Sequence, residues 1–265
     1  MSGARVGRGA IRGISDSLGA RDLDVARQIA NLRLMSGRQV EAVHFPHDAQ
    51  VSPETAARQC RRVLARLVRD RVLSRLDRRV GGVRAGSSSF VYALGPVGHR
   101  LLDDGRARPR RYEPSVAFVD HQLAVSQLVV DLTLPARRGE LELLDVQGEP
   151  ACWRTVPAVG HVVLRPDLFL ALAAGELEYR WFVEVDRGTH HRPAVLRKAR
   201  LYESYYRSGV EQTAHAVFPR VIWIASGVTR AATLRDVLGG GEFTKGLMVV
   251  APVDESLAVL VGGPA

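Results

Sequence analysis

Hydrophobic residues recur at helical spacing through the first half of the chain and mostly at strand spacing through the second. Leu23, Ala26, Ile29, Ala30 and Leu34 predict a helix over residues 22–34. A short second helix begins at Ser36, runs through Val40, Val43 and His44, and stops at Pro46. Ser52-Pro53-Glu54 is a helix start, with a serine N-cap, proline at the first position and an acid in the first turn. The helix it opens runs to about Asp70. Ala56, Cys60, Val63, Leu64, Leu67 and Val68 form one face, and Arg58, Arg61, Arg62, Arg66 and Arg69 form the other. Two strands, 72–76 and 90–94, flank a Gly/Ser/Arg loop that holds Arg84, and Gly95-Pro96 opens another short helix. Helix, helix, basic helix, hairpin is the order of a winged helix-turn-helix, whose third helix enters the major groove while the wing touches backbone.

The charged, proline-containing stretch 103–114 reads as a linker. Beyond it the pattern predicts a helix over 118–132, strands over 141–146 and 162–172, a turn at Gly175-Glu176, and a strand over 179–186. A helix over 193–207, a continuous apolar strand over 221–225, a helix over 229–238 and a buried strand over 247–253 follow. The order α-β-β-β-α-β-α-β makes this part α/β, and the whole chain α+β. The expected division is a flexible basic arm 1–20, a winged-helix domain 21–104, a linker 105–114 and a second domain 115–265.

With 265 residues, 46% of them hydrophobic, the chain can bury a sizeable core. Its net charge of +9 conceals a division: residues 1–111 carry +12 and residues 112–265 carry −3. A basic first half calls for a polyanionic partner, here double-stranded DNA. Cys60 and Cys152 lie in apolar contexts and form no C-x-x-C pair, so a zinc finger is not supported and free thiols in a reducing cytoplasm are the simple reading. The Gly- and Arg-rich N-terminus is no secretory leader, and no apolar run approaches the ~20 residues of a membrane span, so a cytoplasmic protein is expected. The chain has 35 Arg but only two Lys, Lys198 and Lys245. Lysine can lose its proton and arginine cannot, so a lysine in so Arg-biased a chain marks a position where arginine will not serve.

Lys198 gains meaning from what precedes it. Arg165-Pro166-Asp167 is followed seventeen residues later by Glu184-Val185-Asp186, which puts three carboxylates on two neighbouring predicted strands and the lysine on the next helix. Mg²⁺ and Mn²⁺ take hard oxygen ligands, commonly one or two carboxylates with substrate phosphate. A metal held in this way activates water and stabilises a charged phosphoryl transition state. This is the layout of a metal-dependent nuclease site. The plainer alternative makes Glu184 and Asp186 surface acids paired with Arg187 or Arg192, and Lys198 an ordinary helix-surface lysine.

The α-β-β-β-α-β order, with an acid early on its second strand and another on its third, resembles the PD-(D/E)XK nuclease superfamily. Pro166-Asp167 matches the first motif and Glu184 the second acid. The superfamily's lysine two residues later is replaced by Asp186, and Lys198 is suitably placed on the following helix to supply it. The stretches 182–189 (FVEVDRGT) and 198–202 (KARLY), with 32–36 (LRLMS), 60–64 (CRRVL) and 90–92 (FVY), also resemble the replication-relaxation proteins of actinobacterial plasmids and mobile elements. That resemblance covers residues 22–230 and implies a winged helix joined to a nuclease-like domain, acting in plasmid replication, relaxation or transfer. Its implied roles make Asp167, Glu184 and Asp186 the metal-binding and catalytic acids, with the Val185 carbonyl as a further oxygen. Lys198 stabilises the hydroxide or phosphate; Tyr202 and Tyr205 either line the DNA path or pack the helix onto the sheet, and His190 and His191 either contact phosphate or are plain residues of the strand-to-helix loop. His121 is either a core residue or a member of the site.

Three readings follow: a metal-dependent endonuclease or nickase; a DNA-binding regulator or replication accessory with a silent nuclease-like domain; and an assembly protein whose second domain dimerises. Other replication or transfer proteins are expected partners of the first two, and a homodimer is compatible with all three.

Overall fold

The computed structural model describes residues 7–47, 50–80, 89–102, 114–157, 160, 162–188 and 191–262. The chain forms two compact units, residues 1–130 and 131–265. The expected linker 105–114 falls almost wholly outside the described residues, and Arg84 and His190 fall wholly outside them.

The first unit holds α1 (Arg8–Ser17), α2 (Ala20–Leu32), β1 (Met35–Ser36), α3 (Gly37–His44), α4 (Pro53–Arg69), β2 (Leu73–Val80), β3 (Ser89–Leu94) and α5 (Pro96–Leu102). The start of α6 (Val116–Arg137) also belongs to it. Within the basic arm expected over residues 1–20, residues 8–17 form a helix that buries no residue. Capping fixes where the next helices begin. Ser36 and Gln39 close a reciprocal capping box at α3, with bonds of 3.3 and 2.9 Å. Ser52 accepts the Thr55 N–H at 3.3 Å ahead of Pro53 at α4. β1, β3 and β2 form an antiparallel sheet in that order. The first half of α6 is pinned to this unit. Ser126 donates to the Leu34 carbonyl at 2.6 Å, and Gln39 Nε2 donates to the Leu123 carbonyl at 2.9 Å. The division at residue 130 thus falls inside a helix, where no change of composition marks it.

The second unit is built on a five-stranded sheet. Its elements are β4 (Glu142–Gly148), β5 (Arg154–Val156), β6 (Val162–Leu164), β7 (Leu168–Ala174), β8 (Leu177–Asp186), α7 (Arg192–Ser208), α8 (Val210–His215), β9 (Arg220–Ala225), α9 (Val228–Gly239), β10 (Met248–Pro252) and α10 (Ser256–Leu260). The strand order is β10-β9-β8-β7-β4. β4, β7 and β8 are antiparallel neighbours, and β8, β9 and β10 are parallel. The single strand expected over 162–172 is two strands broken at Arg165-Pro166-Asp167. Proline lacks the N–H a ladder needs, so pairing changes partner there: β6 joins β5, and β7 joins the main sheet. α7 and α9 pack on one face, where Phe169, Phe182, Val221 and Trp223 meet Val195, Ala199, Tyr202, Ala231 and Leu234. The two units together make a mixed α/β chain with several sheets.

Candidate active site

Successive residues of a strand alternate between faces, and on β8 this sets two rows. Phe182 lies among the residues packed on α7, so Glu184 and Asp186 share its side. Both carboxylates are buried, at 3% and 1% exposure, so each needs a partner. Glu184 takes two donors from adjacent turns of α7. Lys198 Nζ forms an ion pair with Oε2, and Tyr202 OH donates to Oε1 at 2.6 Å. Lysine and tyrosine are four residues apart, so they lie on one face of the helix.

Asp167 stands just ahead of β7. Its N–H donates to the Val183 carbonyl at 3.0 Å, and its Oδ2 accepts the Val185 N–H at 2.7 Å. The backbone on both sides of Glu184 therefore holds Asp167 beside it. Burial pushes the Glu184 carboxyl up to about 7 against the pull of the Lys198 ammonium, and the Asp167 charge adds to the rise. Burial works against the ammonium of Lys198, yet its carboxylate neighbours hold its pKa above the usual lysine value. Burial and Glu184 together raise Tyr202 well above an ordinary phenol, so it is a hydrogen-bond donor here and not a nucleophile.

Asp186 has a different partner. Its two oxygens accept from Arg230 Nε and Nη2 on α9, both at 2.9 Å, and Oδ1 also accepts the Gly188 N–H at 2.6 Å. The arginine is neither Arg187 nor Arg192, the two nearest in sequence. A basic residue in the first turn of a helix opposes the helix dipole, and that anomaly was the available signal for Arg230. Among the described residues, no three His, Cys, Asp or Glu side chains come together as a metal-ligand group.

Tyr205 is buried and donates to Glu211, which also pairs with Arg154 at 3.3 Å. Tyr202 and Tyr205 are thus core residues that seat α7. His191 is exposed at the start of α7, and His121 lies in the part of α6 that belongs to the first unit. On α4, Ala56, Cys60, Leu64 and Leu67 face the core, while Arg58, Arg61, Arg62 and Arg69 are exposed. Arg66 pairs with Asp22 at 2.7 Å and Arg69 with Asp70 at 3.0 Å.

Cys152 Sγ lies 3.1 Å from the Pro166 carbonyl, to which it donates. Burial pushes both Cys60 and Cys152 up to about 12, and the thiolate is the reactive form. Neither thiol should react with Ellman's reagent at pH 8 until the chain is unfolded. Prompt reaction of either one in the native protein would show that its core opens readily.

Among the described residues, no helix is long and apolar enough to cross a membrane. No curated protein matches the chain. No solved structure matches it either. The model of the replication-relaxation family matches residues 27–221, taking in most of the first unit, both acids of the pair, Lys198 and Tyr202. The chain therefore belongs to the replication-relaxation family.

Proposed function

We propose that this protein binds double-stranded DNA through a winged helix in its first unit and cuts or nicks it with a PD-(D/E)XK-like second unit, in the replication or relaxation of a plasmid or mobile element. The observation that carries the reading is the Lys198–Glu184 pair. The lysine absent from position 186 reaches the second acid from α7 instead. The β4-β7-β8 meander followed by parallel β9 supports the nuclease-like assignment, and the order α2-β1-α3-α4-β2-β3 supports the winged helix.

The acid pair fits a hard divalent cation. Asp167 and Glu184 are adjacent carboxylates, and Mg²⁺ is commonly held by one or two carboxylates with water completing its shell. The Val185 carbonyl is the further oxygen that the resemblance names. Such a cation would supply charge to the phosphate and a water of lowered pKa. The chain's own residues do the remainder. Tyr202 and the Val185 N–H orient the two acids, and Lys198 brings a positive charge to the phosphate. Asp186 serves as a buried anchor rather than a ligand.

A second reading, a replication accessory with a silent nuclease-like unit, is favoured by the Asp186–Arg230 pairing and by the engagement of both Glu184 oxygens. Incubating supercoiled plasmid with Mg²⁺ or Mn²⁺, wild type beside Glu184→Ala, separates the two. Nicking by the wild type alone supports the nuclease. DNA binding without cleavage by either protein selects the accessory.

The DNA-binding half is tested through salt. Each neutralised phosphate adds about 0.9 to the slope of log K against log salt. Changing Arg58, Arg61 and Arg62 together to Ala should therefore flatten the slope by roughly 2–3 and weaken binding to all sequences alike. An unchanged slope would remove α4 from the interface.

A further inference from the structure

The surface arginines of the second unit fall into two groups. Arg138, Arg180 and Arg207 each pair with a glutamate close in sequence, Glu140, Glu178 and Glu203. Arg187, Arg197 and Arg200 are exposed, and among the described residues their guanidinium groups have no hydrogen bond or ion pair. All three border the carboxylate site in the chain. Arg187 follows Asp186 at the end of β8, and Arg197 and Arg200 lie on either side of Lys198 along α7.

The arrangement on α7 is unfavourable by itself. Residues three apart on a helix are neighbours, about 5–6 Å apart at Cβ, and like charges there repel. The acid one turn beyond Arg200, Glu203, is engaged elsewhere: it accepts from Arg207 Nε at 2.7 Å and from the Thr244 N–H and hydroxyl at 2.9 and 2.8 Å. This concentration of uncancelled positive charge stands in a part of the chain, residues 112–265, whose net charge is −3. Arg165, two residues before Asp167, is exposed on the same approach, with its guanidinium 4.7 Å from the Trp153 ring centre. That contact holds the group without neutralising it. Arg192 is exposed as well, but its guanidinium is turned to the end of α9, beside Gly240.

We propose, resting on the DNA-binding half of the reading above, that Arg187, Arg197 and Arg200 form a second DNA-contact surface, which holds phosphates of the strand presented to Lys198. A guanidinium offers a planar fork of donors that matches a phosphate bidentately. Contacts of this kind position the duplex and carry no sequence information. The charge that α7 leaves uncancelled is thereby matched by the DNA backbone.

The test is binding of the full chain to double-stranded DNA of several unrelated sequences over a range of salt. Arg187→Ala, Arg197→Ala and Arg200→Ala combined should flatten the slope of log K against log salt by roughly 2–3, at about 0.9 for each phosphate released, and equally for every sequence. Combined with the three α4 substitutions, the loss should reach about 5. Lysine at the same three positions keeps the charge and should keep the slope. Lys245 is an exposed cation in the turn before β10, at the end of the sheet opposite Asp186, and Lys245→Ala should leave the slope unchanged. Urea melts followed by tryptophan fluorescence should coincide with wild type. If the alanine variant melts early, glutamine at the three positions is titrated against the same expectation. An unchanged slope in the Arg187, Arg197 and Arg200 variant, with the α4 variant flattened, overturns this surface and leaves DNA binding by the first unit standing. A slope that falls as much per charge in Lys245→Ala also overturns it, because net charge and not contact would then be the cause. Absence of DNA binding by the wild type overturns both.

Discussion

Asp167→Asn and Glu184→Gln should each lower metal-dependent nicking of supercoiled DNA by about 10³-fold or more, with DNA affinity within twofold of wild type. The size follows from the several kcal/mol that a bound cation contributes to a phosphoryl transition state, at one decade of rate for each 1.36 kcal/mol. The separation from binding follows from where the residues lie. Both acids are in the second unit, and the exposed arginines of α4 are in the first. Both substitutions keep the side-chain shape, and the amide oxygen that replaces each carboxylate could still accept from the Val185 N–H or from Tyr202. Purified variants are compared by gel conversion of supercoiled plasmid to nicked circle, beside a binding titration at fixed salt. Loss of binding in parallel with loss of cleavage would show that these carboxylates support the fold, and the catalytic assignment would be withdrawn.

Arg230→Ala should destabilise the second unit by about 3–5 kcal/mol, because it leaves the Asp186 carboxylate buried without its ion partner. Trp153, Trp181 and Trp223 are the chain's three tryptophans and all lie in this unit, so fluorescence during a urea melt reports on it directly. Asp186→Lys should be at least as damaging, even though it restores the lysine spacing of the nuclease superfamily. It would set a buried ammonium against Arg230 and gain no cleavage. A cost below about 1 kcal/mol for Arg230→Ala would place the pair among surface ion pairs of little weight.

Apart from α1, the helices of the first unit were legible because their signals are local. The Ser52-Pro53 start and the i, i+4 apolar spacing of α4 need nothing beyond the segment itself. The Asp167, Glu184 and Lys198 constellation was legible in part for the same reason: two strand positions and one helix position follow one another along the chain. What could not be read depends on pairing across distance. β5 and β6 are three-residue strands, too short for alternation to declare them, and α8 and α10 are hardly longer. Arg230 lies 44 residues from Asp186, and no periodicity links them. The reach of α6 into the first unit rests on Ser126 and Gln39 bonding across 92 and 84 residues.

The Asp186–Arg230 pair also constrains how this chain can diverge. Loss of Arg230 alone leaves Asp186 buried without its ion partner, so what position 230 can become depends on what stands at position 186. A lineage that placed a lysine at position 186 would have to give up the arginine on α9 in nearly the same step. Only then would Lys198 be released to vary.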